Sequence, residues 1–335
     1  MGTASPTSPP SSSVVGRLAP SPTGRVHLGH ARSFLLAWWS IRSQGGRVLL
    51  RIEDLDQDRA RQEWRAAIVR DLSWLGLDWD GEVEVQSEHL AGVDEAVQRL
   101  VAAGAVYPCV CTRREVREAA SAPHDEATSS MELAYPGTCR GRFGSLAQAE
   151  AETGRPAALR FAVDGAAGTE ASPTGRTLVR FHDELQGDQA IDLAHHGGDF
   201  VVVRKGGLPA YQLAVVEADA RVGVTEVLRG DDLLVSTARQ KLLQRALGLP
   251  HPRWIHVPLV VDVEGQRLAK RRGGLSLAEL RDRGVSATQV RSWVAQSAGL
   301  ELEEGSGPAP SVSAFSPSRL SIAQARVPGD FLEDA

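Results

Sequence analysis

Residues 14–52 constrain the fold more than any other part of this sequence. "VVGRLAP" has the apolar spacing of a short strand, and Pro20 and Pro22 stop its ladder because proline has no amide hydrogen to donate. "ARSFLLAWWSIRSQG" follows with the length and apolar spacing of a helix that stops at Gly45. "GRVLLRIED" then has the continuous apolar centre of a strand covered on both faces, the mark of a parallel sheet. "QEWRAAIVRDLSWLG" is a second amphipathic helix. Strand, helix, strand, helix predicts an α/β fold with a Rossmann-like, doubly wound parallel sheet. The same pattern returns in "GDFVVVRKGGLPAYQLAVVEAD", "GVTEVLRG" and "LLVSTARQKLLQRALG".

The stretch between these two halves has a different character. It holds every cysteine, the polar run "SAPHDEATSS" and short strand-like runs such as "AALRFAV", so it reads as an α+β insertion. The expected divisions are a disordered Ser/Pro/Thr-rich tail over 1–13, the first half of the sheet domain over 14–101, the insertion over 102–192 and the second half over 193–265. A Gly- and Arg-rich loop and a short, polar, helical C-terminal region follow over 266–335, loosened by "EEGSGPAPS".

Composition narrows the function classes. An apolar content of 42% and a charged content of 24% are ordinary for a globular protein. No apolar run reaches membrane-spanning length, and the tail has neither the basic start nor the apolar centre of a secretion signal. Three cysteines cannot complete a disulfide framework, which suits a reducing cytoplasm and raises the weight of a metal site. The net charge is −5, so any surface for nucleic acid must be local. Arg113, Arg114, Arg117, Arg271 and Arg272 could meet phosphates, though a solvated face also accounts for any one of them.

Two constellations carry chemistry. In "LAPSPTGRVHLGH", His27 and His30 fall on one face of the first helical turn. Gly29 leaves room for a ring or phosphate, and a helix N-terminus suits an anion. Read alone, the two histidines equally fit polar residues near a helix start. In the insertion, Cys109, Cys111 and Cys139 supply three thiolates, and tetrahedral zinc needs a fourth ligand. On general ligand chemistry His124, between them in sequence, is the better candidate.

The ordered set "RLAPSPTGRVHLGHAR", "RIEDLD", "GGLPAYQLAVVEADA", "VLRGDDLL" and "QRLAKR" resembles class I aminoacyl-tRNA synthetases of the glutamyl/glutaminyl branch, from Arg17 to about Arg272. "HLGH" is similar to the HIGH motif, and "RLAKR" to the mobile KMSKS loop, with Ala269 where that family usually has serine. The resemblance implies that His27, Gly29, His30 and Lys270 bind ATP with its Mg²⁺. His27, His30 and Lys270 would stabilise charge on the phosphoryl oxygens as a carboxylate attacks the α-phosphorus. It implies glutamate contacts from Arg17, Leu18, Ala19, Pro20, Ser21, Glu53, Tyr211 and Arg229. Glu53 would take the ammonium, Arg17 and Arg229 the carboxylates, and Tyr211 would donate its hydroxyl.

The Cys-x-Cys then Tyr-x-x-x-Cys pattern resembles the structural zinc site of glutamyl-queuosine tRNA(Asp) synthetases and of some glutamyl-tRNA synthetases. That implies Tyr135 as the fourth ligand, with one Zn²⁺ per chain. About sixty residues follow Arg272, too few for the long helical anticodon-binding region of a glutamyl-tRNA synthetase. The resemblance to the glutamyl-queuosine family implies activation of L-glutamate by ATP without tRNA. It then implies transfer to the queuosine base of the tRNA(Asp) anticodon loop, by a cytoplasmic monomer with no membrane partner. The rival readings are a truncated glutamyl-tRNA synthetase charging a 3′ end, another nucleotidyltransferase of the same superfold, and a zinc-containing RNA-binding module.

Overall fold

A computed structural model describes residues 14–56, 58–120, 134–171, 177–262, 265, 268, 275–300, 315–328 and 331. The first strand, β1 (Val15–Leu18), is buried throughout and runs into the Pro20–Pro22 turn. Helix α1 (Leu28–Ser43) follows and ends through Gln44 into Gly45, whose φ of 66° only glycine adopts without strain. Next come β2 (Arg47–Ile52), α2 (Gln62–Trp74), β3 (Glu84–Val85) and α3 (Ala91–Ala102). The three strands form a parallel sheet in the order β1-β2-β3.

The chain then leaves this sheet for β4 (Val106–Cys109), α4 (Arg113–Ala120), α5 (Leu146–Thr153), β5 (Ala158–Phe161), β6 (Glu170–Ala171), β7 (Thr177–Asp183), β8 (Gly187–Asp192) and β9 (Phe200–Val203). Two antiparallel sheets result, ordered β4-β5-β9 and β6-β7-β8. Pairing of β9 with β5 carries the antiparallel region to Val203, past residue 192. "FVVV" is apolar at every position, so its pattern alone does not say which sheet it joins.

The chain returns through α6 (Tyr211–Arg221), β10 (Glu226–Gly230), α7 (Leu234–Ala246), β11 (Arg253–Val257) and β12 (Val260–Val261), then α8 (Leu277–Asp282), α9 (Ala287–Ser297) and β13 (Ala325–Arg326). β10 and β11 pair in parallel. Thr225 joins this pair to β1: its amide donates to the Val15 carbonyl at 2.8 Å, and its hydroxyl accepts from the Val15 amide at 2.9 Å. The strands therefore lie in the order β3-β2-β1-β10-β11. From β1 the chain first moves to β2 and much later returns to the other side at β10, so the sheet order reverses there. A crevice beyond the carboxyl ends of strands at such a reversal is where open α/β sheets bind ligands.

Helix α1 is the centre of the largest core. Leu28, Leu35, Leu36, Trp39 and Ile41 are all buried, and a Cβ on Gly16 of β1 would lie only 2.0 Å from the Ile41 side chain. The C-terminal region, polar in composition, contributes more to this core than its polarity suggests. Capping boxes at Ser276/Glu279 and Ser286/Gln289 start α8 and α9, which place Leu280, Val290, Trp293 and Val294 in the same core. Among the described residues, no helix is long and apolar enough to cross a membrane.

Candidate active site

A cleft of about 600 Å³ opens at the carboxyl ends of β1 and β10. Arg17, Ala19, Pro20, Ser21, His27, Gly29, His30, Glu53, Tyr211 and Arg229 all line it. Thus residues from the first 53 positions and from 211–229 share one cavity. Leu18 does not line it. Its side chain is fully buried in the core, between Arg17 and Ala19, which both line the cleft.

His27 is the N-cap of α1, and its Nδ1 accepts from the His30 amide at 3.4 Å. The two imidazoles stack with centroids 3.6 Å apart. Gly29 lets this happen, since a Cβ there would sit 3.2 Å from the His27 ring. The start of α1 is held from outside as well. The Leu28 amide donates to Leu275 at 3.0 Å, and the Leu277 amide donates to Val26 at 2.9 Å. Leu268 lines the cleft, and its amide donates to Val260 at 3.2 Å. Lys270 and Ala269 lie outside the described residues, as do Arg271, Arg272 and His124.

The other end of the cleft rests on a buried charge network. Arg17 Nε reaches both oxygens of Asp219 at 3.2 and 3.3 Å. Arg51 pairs with Asp219 at 2.7 Å and with Glu53 at 3.1 Å. Burial works to raise the Asp219 pKa, but the Arg17 and Arg51 charges outweigh it and hold the carboxyl below its ordinary value. Glu53 has weaker support. Burial raises its pKa more than Arg51 and Arg17 lower it. A cationic group arriving in the cleft would reverse that balance.

Arg229 lies over the Trp254 face, 5.0 Å from the ring centre. Its Nη2 donates to Thr237 Oγ1 at 2.7 Å and Gln240 Oε1 at 2.9 Å. Its Nη1 has no hydrogen-bond partner among the described residues, although it is buried. A fork fixed on one side and unpartnered on the other is suited to receiving a carboxylate.

The three cysteines converge in a small core of their own. Their sulfurs lie within 4.8 Å of one another, with Cys111 and Cys139 at 3.5 Å. The Tyr135 hydroxyl is 3.3 Å from Cys109 and 3.7 Å from Cys111. Four ligands around tetrahedral zinc would be separated by about 3.5–3.8 Å, given bonds of about 2.0–2.3 Å. The donor set therefore fits a zinc ion in both size and chemistry. Burial pushes the Cys111 thiol up to about 11 and raises the Tyr135 phenol, which a cation would offset. The Arg160 guanidinium, 3.9 Å above the Tyr135 ring and 3.3 Å from Cys109, also favours anionic ligands. On α4, Arg114 pairs with Glu118 on an exposed face, as expected of a solvated helix.

Residues 13–299 match the family described as tRNA synthetases class I (E and Q), catalytic domain. A relative named glutamyl-Q tRNA(Asp) synthetase from Rhodopirellula baltica is 44% identical over 297 residues, 86% of each chain. Relatives of the same name from Symbiobacterium thermophilum and Deinococcus radiodurans are 42% and 46% identical. They cover 94% and 83% of this chain, and 96% and 86% of their own. The chain belongs to the class I tRNA synthetases (E and Q), in the glutamyl-Q tRNA(Asp) synthetase family. It is therefore an enzyme of the ligase class. The fold has a solved counterpart in a glutamate tRNA ligase from Elizabethkingia meningosepticum, crystallised with its amino acid. The TM-score is 0.78 at 23% identity, over 96% of this chain and 68% of that one.

Sequence reasoning missed Arg51 and Asp219 within the motifs that it quoted. Their signal was available: Arg51 directly follows the apolar "VLL" of a strand, and Asp219 follows the apolar "LAVV" of a helix, where burial without a partner is costly. His256 and Asp183, which meet behind Arg229, carry no comparable local signal.

Proposed function

We propose that the cleft binds L-glutamate beside ATP and joins them as glutamyl-adenylate without RNA, and that the glutamyl group then passes to the queuosine base of tRNA(Asp). The observation that carries the reading is the shared cleft, with a paired imidazole and helix N-terminus at one end and a buried arginine–carboxylate network at the other. Arg17, Arg229 and Glu53 line the cleft, and Arg51 and Asp219 complete the charge network behind them. The excess of one guanidinium complements a substrate with one more carboxylate than ammonium. Glu53 takes the ammonium, Arg17 and Arg229 the carboxylates, and Tyr211 lends its hydroxyl. A glutamine side chain would forfeit one ion pair, the basis for its rejection.

ATP arrives with Mg²⁺. An α-carboxylate oxygen bonds to the α-phosphorus as the bond to pyrophosphate breaks. His27, His30 and the α1 N-terminus meet the charge on the phosphoryl oxygens. Lys270 follows Leu268 in sequence by two residues and serves the same oxygens. Cys109, Cys111, Cys139 and Tyr135 would hold one structural zinc, which would stabilise the insertion and not act on substrate. The names of the relatives support queuosine-bearing tRNA(Asp) as the acceptor.

The test is ATP–pyrophosphate exchange with no RNA present. Glutamate should support it. Exchange driven by glutamine or aspartate and not by glutamate would overturn the pocket assignment. Lys270→Ala should lower the exchange rate at least about tenfold, a loss of about 1.4 kcal/mol of transition-state stabilisation. Labelled glutamate should move to tRNA(Asp) only when queuosine is present. Transfer indifferent to queuosine would favour charging of a 3′ end.

A further inference from the structure

Behind Arg229 lies a buried pair that no motif in the sequence announces. His256 on β11 is fully buried, and its Nδ1 is 2.6 Å from Asp183 Oδ2 at the end of β7. Its Nε2 faces Arg229 Nε at 3.2 Å and Thr237 Oγ1 at 2.9 Å. A guanidinium Nε–H can only donate. The bond to Arg229 therefore requires a lone pair on Nε2, with the imidazole proton on Nδ1. Asp183 favours this tautomer by accepting that proton. Burial lowers the His256 pKa, against the opposing pull of Asp183, and this keeps the ring neutral beside the arginine.

We propose that Asp183 and His256 are positioning residues: the insertion, through Asp183, sets the tautomer of His256 and so aims Arg229 at a substrate carboxylate. This deepens the glutamate reading of the cleft and rests on it. It also links the antiparallel region to the amino-acid site through one line of hydrogen bonds.

The geometry supplies its own diagnostic substitution. Asp183 Oδ1 accepts from the amides of Leu185 at 3.0 Å, Gln186 at 2.8 Å and His256 at 3.3 Å. In Asp183→Asn those three donors hold the amide oxygen in place, which turns the amide NH₂ towards His256 Nδ1. The imidazole proton must then move to Nε2, where it opposes the Arg229 N–H. In His256→Gln the side-chain oxygen can serve as the acceptor that Nε2 provides, with no tautomer to set.

The experiment measures KM for glutamate and for ATP in the exchange assay with the unaltered chain, Asp183→Asn, His256→Gln and the double variant. Asp183→Asn should raise KM for glutamate about tenfold, the size of one lost discriminating hydrogen bond, and leave KM for ATP within about twofold. His256→Gln should retain most of the glutamate affinity. Adding Asp183→Asn to it should cost nothing further, because the two act as one unit. An unchanged KM for glutamate in Asp183→Asn, equal rises in both KM values, or an effect that adds fully to that of His256→Gln would overturn the relay. If the unaltered chain shows no glutamate-dependent exchange, the glutamate reading itself fails and takes the relay with it.

Discussion

Glu53 is set against its own surroundings. Burial raises its pKa despite Arg51 and Arg17, so these two charges alone under-support the anion. In an acid whose pKa is raised, the neutral form gains as pH falls through that value. An ammonium ligand needs the anion. KM for glutamate should therefore rise as pH falls through the raised pKa. The Glu53→Gln variant should bind glutamate weakly at all pH values and lose that part of the dependence. The substrate's own side-chain carboxyl titrates in both proteins, so comparing the two isolates Glu53. Parallel pH profiles for the two would remove Glu53 from the ammonium site. Gly29 makes a second test at this scale. A methyl group there would press on the His27 ring at 3.2 Å. Gly29→Ala should lower the exchange rate about tenfold with little change in KM for glutamate, and an unchanged rate would show that His27 tolerates displacement. Sequence made Gly29 legible as a place needing room. The structure shows that the nearest occupant is the neighbouring histidine.

Among the elements, the short segments around the cysteines depend on one another. Cys109 ends β4, Cys111 precedes α4, and Cys139 lies in a turn before α5, with Tyr135 touching all three. A zinc ion here would cross-link segments that share only a small core. Zinc present at a hundredfold above its dissociation constant stabilises the bound form by about 2.7 kcal/mol. Purified protein should contain about one zinc per chain, the number implied by four ligands. Chelation or Cys139→Ser should lower the melting temperature by several degrees, on the usual scale of about 2–4 °C per kcal/mol. Metal-free protein with an unchanged melting temperature would contradict the site. The spacing of the cysteines was legible in sequence. The choice between Tyr135 and His124 was not, because ligand convergence depends on how the intervening backbone turns. Tyr135 is now seen against the sulfurs, while His124 is outside the described residues. The strands and helices of the parallel sheet were easier to read, since each carries its own apolar period. The membership of β9 was not, since an all-apolar strand satisfies either sheet.

For the molecule as a whole, Asp219 ties three elements together: α6 to β1 through Arg17, and to β2 through Arg51. Asp219→Asn leaves two buried guanidiniums short of charge and should destabilise the fold by about 3–5 kcal/mol, measurable by denaturant unfolding. The sign of the linkage follows from its depressed pKa. Its contribution is complete above the unfolded value of about 3.8 and is lost as pH falls through the lower folded value. Asp183, also held low by His256 despite burial, acts in the same direction. The unaltered chain should therefore lose stability steeply below about pH 4, and Asp219→Asn less steeply. An equal slope in both would place the acid sensitivity elsewhere.

Local order along the chain was enough to specify the alternating elements, the proline-broken turn, the glycine stop and the ordered motifs of a class I synthetase. Each of these rests on neighbours within a few residues, where periodicity and backbone chemistry act directly. Pairings between distant groups had to wait for the fold. Arg17 meets Asp219 across 202 residues of chain, and Asp183 meets His256 across 73. Burial makes such charges require partners, but no local pattern says which partner. That is decided only when the reversal of strand order brings β1, β2, β10 and β11 together around one cleft.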